Sequence, residues 1–141
     1  MRTIPLLKDR PRELQVLLAG VAPAVTGFVA GLMLGVSAAA YWIVNLIAAI
    51  GGVAAGLEHE NGWKGADRGL LGGTIFGTFL LIAHALGGAA KVKLPGFEPL
   101  LVIVTAIGGM LLGALGGRLR RVVVKPPADE QPAAGEADPG T

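Results

Sequence analysis

Residues 14–57 read LQVLLAGVAPAVTGFVAGLMLGVSAAAYWIVNLIAAIGGVAAGL, 44 residues with no Asp, Glu, Lys or Arg between Glu13 and Glu58. A helix rises about 1.5 Å per residue and a bilayer's hydrocarbon core is about 30 Å thick. As one helix this stretch would run roughly 66 Å, about twice the core. It therefore has to be two helices joined by a tight turn. Gly35-Val36-Ser37 is the natural break, with Ser37 placed to cap the second helix.

Outward from there the pattern repeats. Arg68 and Lys91 bracket 22 uncharged residues, and Glu98 and Arg118 bracket 19. Runs of 18 or more apolar residues read as transmembrane helices. Four spans follow: Leu14–Gly35, Ala38–Leu57, Gly69–Gly88 and Pro99–Gly117. The expected fold is all-α, a four-helix transmembrane bundle. Only 16% of the 141 residues are charged, against about 25% in soluble domains, and most of those charges lie at the two ends or in one loop. That excludes a soluble enzyme, a disulfide scaffold (the chain has no Cys) and a nucleic-acid module. A cleaved signal peptide is the competing reading of the first span. Signal cores are about 7–15 residues, and this one runs to about 22 by the same reading of the sequence.

Lys and Arg set the expected topology. Arg2, Lys8, Arg10 and Arg12 precede the first span. Lys64 and Arg68 lie between the second and third, and Arg118, Arg120, Arg121 and Lys125 follow the fourth. The other side carries only Lys91 and Lys93. Both termini are thus expected in the cytoplasm. Residues 1–13 form a basic N-terminus and 118–125 a juxtamembrane basic segment suited to anionic lipid headgroups. From Pro126 the chain turns rich in Pro, Ala, Glu and Gly, which predicts a disordered tail over 126–141. Tyr41 and Trp42 fall at the outer interface.

Every span carries small residues four apart: Gly27, Gly31 and Gly35; Ala48, Gly52 and Gly56; Gly69, Gly73 and Gly77, preceded by Gly65; and Gly109, Gly113 and Gly117. Positions i and i+4 share a helix face. Small residues there let helices approach closely in lipid, where association depends on packing. The expected arrangement is a glycine zipper. Glycines off that stripe (Gly51, Gly72, Gly88, Gly108, Gly116) widen the small face and raise the prospect of self-association or of a membrane partner protein.

No Asp, Glu, Lys or Arg lies within a span. Asn45, Thr74, Thr78 and His84 are the candidates for a polar path, with Asn45 and His84 otherwise read as helix-to-helix or backbone hydrogen bonders. Thr26 and Thr105 can bond their own helix, and Pro23 removes one helix hydrogen bond and should kink the first span. Glu58-His59-Glu60 is too consecutive for a helical metal site, so neither a metal nor a cofactor is expected. The 58–68 segment reads as a hairpin loop turning at Asn61-Gly62. Asp67 and Arg68 there are expected to pair with Glu58, Glu60 or the Arg118–Arg121 cluster.

Gly51-Gly52, Gly62-Trp63-Lys64-Gly65, Gly69, Gly72-Gly73 and Gly77 together resemble the central hairpin of small, uncharacterised four-span bacterial membrane proteins. The resemblance covers about residues 50–80 of this chain. It implies a bacterial inner-membrane protein and brings no functional residues with it. The four-span size is also similar to that of dual-topology fluoride channels, whose Asn- and Phe-bearing pore motifs are missing. The sequence points first to a non-enzymatic structural or accessory subunit assembling through its glycine faces. The alternative is a small homo-oligomeric channel or transporter.

Overall fold

A computed structural model describes residues 5–87 and 99–123. Among the described residues all regular structure is helical. Four helices are long and apolar enough to cross a membrane: α1 (Arg12–Val36), α2 (Ala38–Leu57), α3 (Gly62–Gly87) and α4 (Pro99–Val123). The expected disordered tail, Gly88, Lys91, Lys93 and Lys125 lie outside the described residues.

The first break falls where the sequence puts it. Ser37 is extended (φ −161, ψ 136) and separates α1 from α2. Its hydroxyl does not cap α2, which corrects the expectation; its carbonyl instead accepts the Tyr41 N–H at 3.0 Å.

The second boundary differs more. α3 begins at Gly62 rather than Gly69, so Gly62–Arg68 is helix and not loop. The cause is local. The Asn61 side-chain oxygen accepts the Lys64 N–H at 2.9 Å, three residues on, which is an N-cap. The turn shrinks to Glu58–Asn61.

α3 makes its most extensive contacts with α4, then with α1, while α2 packs mainly on α4. The buried core is small: Ala30, Leu34, Tyr41, Phe76 and Leu80 form one cluster. Glycines, not large side chains, line the closest seams. A methyl group built on Gly27 would overlap the backbone of Phe76, and one on Gly31 would overlap Leu80. On α3, Gly65 and Gly69 meet the backbone of Gly113 and Gly109, Gly73 meets Thr105 and Ala106, and Gly77 meets Val102 and Thr105. On α4, Gly116 meets Val53 and Gly56, and Gly117 meets Asn61 and Gly62. Gly52 is looser, with only the Leu112 side chain near it, at 3.4 Å, and Gly35 is half-buried. α2 stands apart. Its buried residues are Tyr41 and Gly56 alone.

Candidate functional site: a cavity between the four helices

The break in α1 comes first, because it sets the site. Proline 23 has no N–H, and its ring crowds the carbonyl four residues back. α1 answers with one wide turn over Leu17–Val21, in which the Ala22 N–H reaches Leu17 O, five residues back. Leu18 O is then left without a donor from its own helix. Ala22 is used elsewhere, and position 23 is proline. The donor comes from α3: the Arg68 guanidinium gives one N–H to Leu18 O. Arg68 thus mends a helix break 50 residues away in sequence. The expected contact ion pair of Arg68 with Glu58 or Glu60 does not form, although Glu58 still acts electrostatically on Arg68. Among the described residues no carboxylate lies within ion-pair distance of it.

Arg68 lies at one end of a cavity of about 610 Å³ bounded by all four helices. On α2 the lining runs from Asn45 to Glu58, about 20 Å along the axis. The polar lining comes from Thr26, Asn45, Glu58, Arg68 and Thr105, and the rest is apolar or glycine. Two glycines in the wall, Gly51 and Gly108, have nothing within 4 Å of an added methyl. Gly72 faces the Arg68 side chain. The off-stripe glycines therefore differ among themselves. Gly116 sits in a backbone contact, whereas Gly51 and Gly108 leave space.

Of the candidate path residues, Asn45 lines this cavity, while Thr74, Thr78 and His84 do not. Asn45 bonds Tyr41 O on its own helix at 2.9 Å, so the expected bond across helices is corrected. Thr74 and Thr78 are exposed and bond back to Leu70 O and Thr74 O, each at 2.8 Å. Thr26 and Thr105 likewise bond their own helices. His84 is half-buried near the far end of α3.

An N-terminal strap packs against Glu58, a residue of the cavity wall. Leu7–Asp9 forms a short 3-10 turn, and the Leu7 N–H donates to Glu58 O at 3.1 Å. Arg10 donates to the Glu58 carboxylate at 2.5 Å, and Gln15 Nε2 bonds Arg10 O at 2.8 Å. Lys8 and Lys64 both pair with Glu60, Lys64 at 2.6 Å. These two cations, Lys64 foremost, pull the Glu60 carboxyl down to about 2. Glu60 in turn raises the Lys8 ammonium above its ordinary value.

Other contacts complete the end of α2, whose last carbonyls need partners. Ala55 O is met by the Glu58 N–H and His59 Nδ1, Gly56 O by the His59 N–H, and Leu57 O by Arg120 at 2.6 Å. Arg120 thus turns inward, while Arg118 and Arg121 are exposed.

The charge count at the mouth is uneven. Glu58 faces two cations, the Arg10 guanidinium at 2.5 Å and, beyond ion-pair distance, Arg68. The sequence flagged Arg68 only as a loop cation. Its placement depends on a proline in another helix and on α3 starting early. Comparison with family models, with curated proteins and with solved structures finds no match to this chain.

Proposed function

We propose that the protein is a non-enzymatic multi-pass membrane protein that holds a small molecule in the cavity between its four helices. One observation carries the reading: a cavity of about 610 Å³ with its two charged residues, Glu58 and Arg68, at one end. That volume is within the roughly 300–1,000 Å³ of small-molecule sites. A tightly packed structural bundle has no need of such a space. The close glycine contacts support a glycine zipper that docks the chain's own helices and so frames the cavity. The ten-to-two distribution of Lys and Arg supports a cytoplasmic location for both termini and for the strap.

The test is native mass spectrometry of protein released from its membrane in mild detergent. The wild type should carry a small-molecule adduct, and Gly51→Leu and Gly108→Leu, which fill the cavity, should lose it. A bare wild-type chain, or an adduct unchanged in both variants, contradicts the reading.

A second reading, the accessory subunit, is favoured by α2. Trp42, Ile43, Leu46 and Ile50 are each 59–64% exposed along its outer side, a face available to a membrane partner or to a second copy. The same spectrum reports it, as a defined hetero- or homo-oligomer. A channel routed through Asn45, Thr74, Thr78 and His84 draws less support, because Thr74 and Thr78 point away from the cavity and bond their own helix.

A further inference from the structure

We propose that the cavity takes a single-chain anionic amphiphile, with a carboxylate or phosphate head at Arg68 and an acyl tail along the glycine-walled space toward Asn45. The inference rests on the reading of the cavity as a binding site and adds the ligand's chemistry. Three observations carry it.

The first is charge. Arg10 and Arg68 stand at the mouth against one carboxylate, Glu58, and Arg10 holds that carboxylate at 2.5 Å. The Arg68 guanidinium has five N–H donors, and one goes to Leu18 O. The charge stands six residues inside α3, about 9 Å along the helix. A charge in the wall of a largely apolar cavity is costly unless an anion or water meets it. A planar guanidinium suits a carboxylate or phosphate in two-point contact.

The second is the shape of what lies beyond. Above Arg68 the wall is Ala48, Gly51, Gly73, Phe76, Val104 and Gly108, with no further charge. Gly51 and Gly108 leave open space where side chains would otherwise project. A small inorganic anion would use the mouth and leave this apolar length empty, whereas an acyl chain fills it.

The third is position. Arg68 and Glu58 lie beside the end of α2, and Arg120 and the exposed Arg118 and Arg121 belong to the same end of the bundle. That end is level with lipid headgroups if the four helices span, so an amphiphile can enter head-last from the bilayer.

The experiment is equilibrium binding of radiolabelled palmitate to the full-length protein in an uncharged detergent, with radiolabelled 1-hexadecanol as the neutral twin. Gly51→Leu, Gly108→Leu and Arg68→Gln are measured beside the wild type, each checked for a cooperative melt. The expected result is saturable palmitate binding in the wild type. Leucine at either glycine should abolish it, and Arg68→Gln should weaken it roughly tenfold or more, as for loss of a charge-assisted bond. Hexadecanol should bind more weakly than palmitate and not respond to Arg68→Gln. Palmitate and hexadecanol binding alike, both lost on cavity filling, would overturn the anionic head and leave the cavity reading standing. Saturable binding of neither would overturn both. If Arg68→Gln does not fold, the palmitate-to-hexadecanol ratio in the wild type still decides the charge, and the glycine variants decide the place. Acetate that displaces palmitate at concentrations equal to palmitate's own would show that the acyl chain adds nothing, and would assign the site to the free anion and overturn the amphiphile.

Discussion

At the scale of single residues, Pro23 and Arg68 form one unit. The proline strips Leu18 O of its helix donor, and the arginine supplies another. Leaving that carbonyl unmet costs about 1–3 kcal/mol. Arg68→Met should therefore destabilise the bundle by about that amount, read as a lowered melting midpoint in detergent. Pro23→Ala restores the missing donor and should shrink the loss when the two are combined. Equal losses in the Pro23 and the Pro23→Ala backgrounds would separate the two residues. Half of this was legible in the sequence: a proline inside an apolar run announces a broken ladder. The other half was not, since nothing local says which of twelve cations folds back to mend it. Asn45 failed in the opposite direction. An amide in a span calls for a partner, and the nearest one, Tyr41 O, was on its own helix all along.

At the scale of elements, the turn between α2 and α3 shows how charges misled and a cap informed. Lys64, Asp67 and Arg68 made 62–68 look like loop, but an asparagine before a glycine also reads as a helix start, and Asn61 caps Lys64. The strap beneath that turn depends on pH. Glu60 titrates near 2 in the fold, below its ordinary 4.5, because of Lys64 and Lys8. A depressed carboxyl stabilises above its unfolded value and loses that contribution as pH falls through the folded one. Lys8 is raised above 10.5, so its share is present below that value and lost as pH climbs past it. Protection of the Leu7 amide, corrected for intrinsic exchange, should fall as the pH drops from about 4.5 toward 2. Glu60→Gln should remove the dependence. Both groups are well exposed, so salt should weaken the pairs as well.

At the scale of the whole molecule, the helices and their order were readable from charge-free runs, because length and apolarity alone define a span. The cavity was not. Glycine spacing announces that helices approach closely, but a stripe four residues apart cannot say which glycines touch a neighbour and which face a void. That depends on how α2 sits, held by α4 and only loosely by α1. Reporter fusions to each terminus should both report a cytoplasmic location, as the ten-to-two distribution of cations predicts. Reporters on opposite sides would break the even count of spans, and both outside would contradict the cation rule. The central claim is that glycines here do two jobs, locking backbones together and leaving room for a ligand, and adjacent residues test it. At Gly109 an added methyl meets Gly73 Cα at 3.0 Å, whereas at Gly108 nothing lies within 4 Å. The measurement is the melting midpoint of Gly108→Leu and Gly109→Leu in detergent. The account predicts a midpoint near wild type for Gly108→Leu. For Gly109→Leu it predicts a loss of at least the 1–3 kcal/mol typical of overpacking, or failure to fold. Equal effects at the two positions, or a greater loss at Gly108, would contradict it.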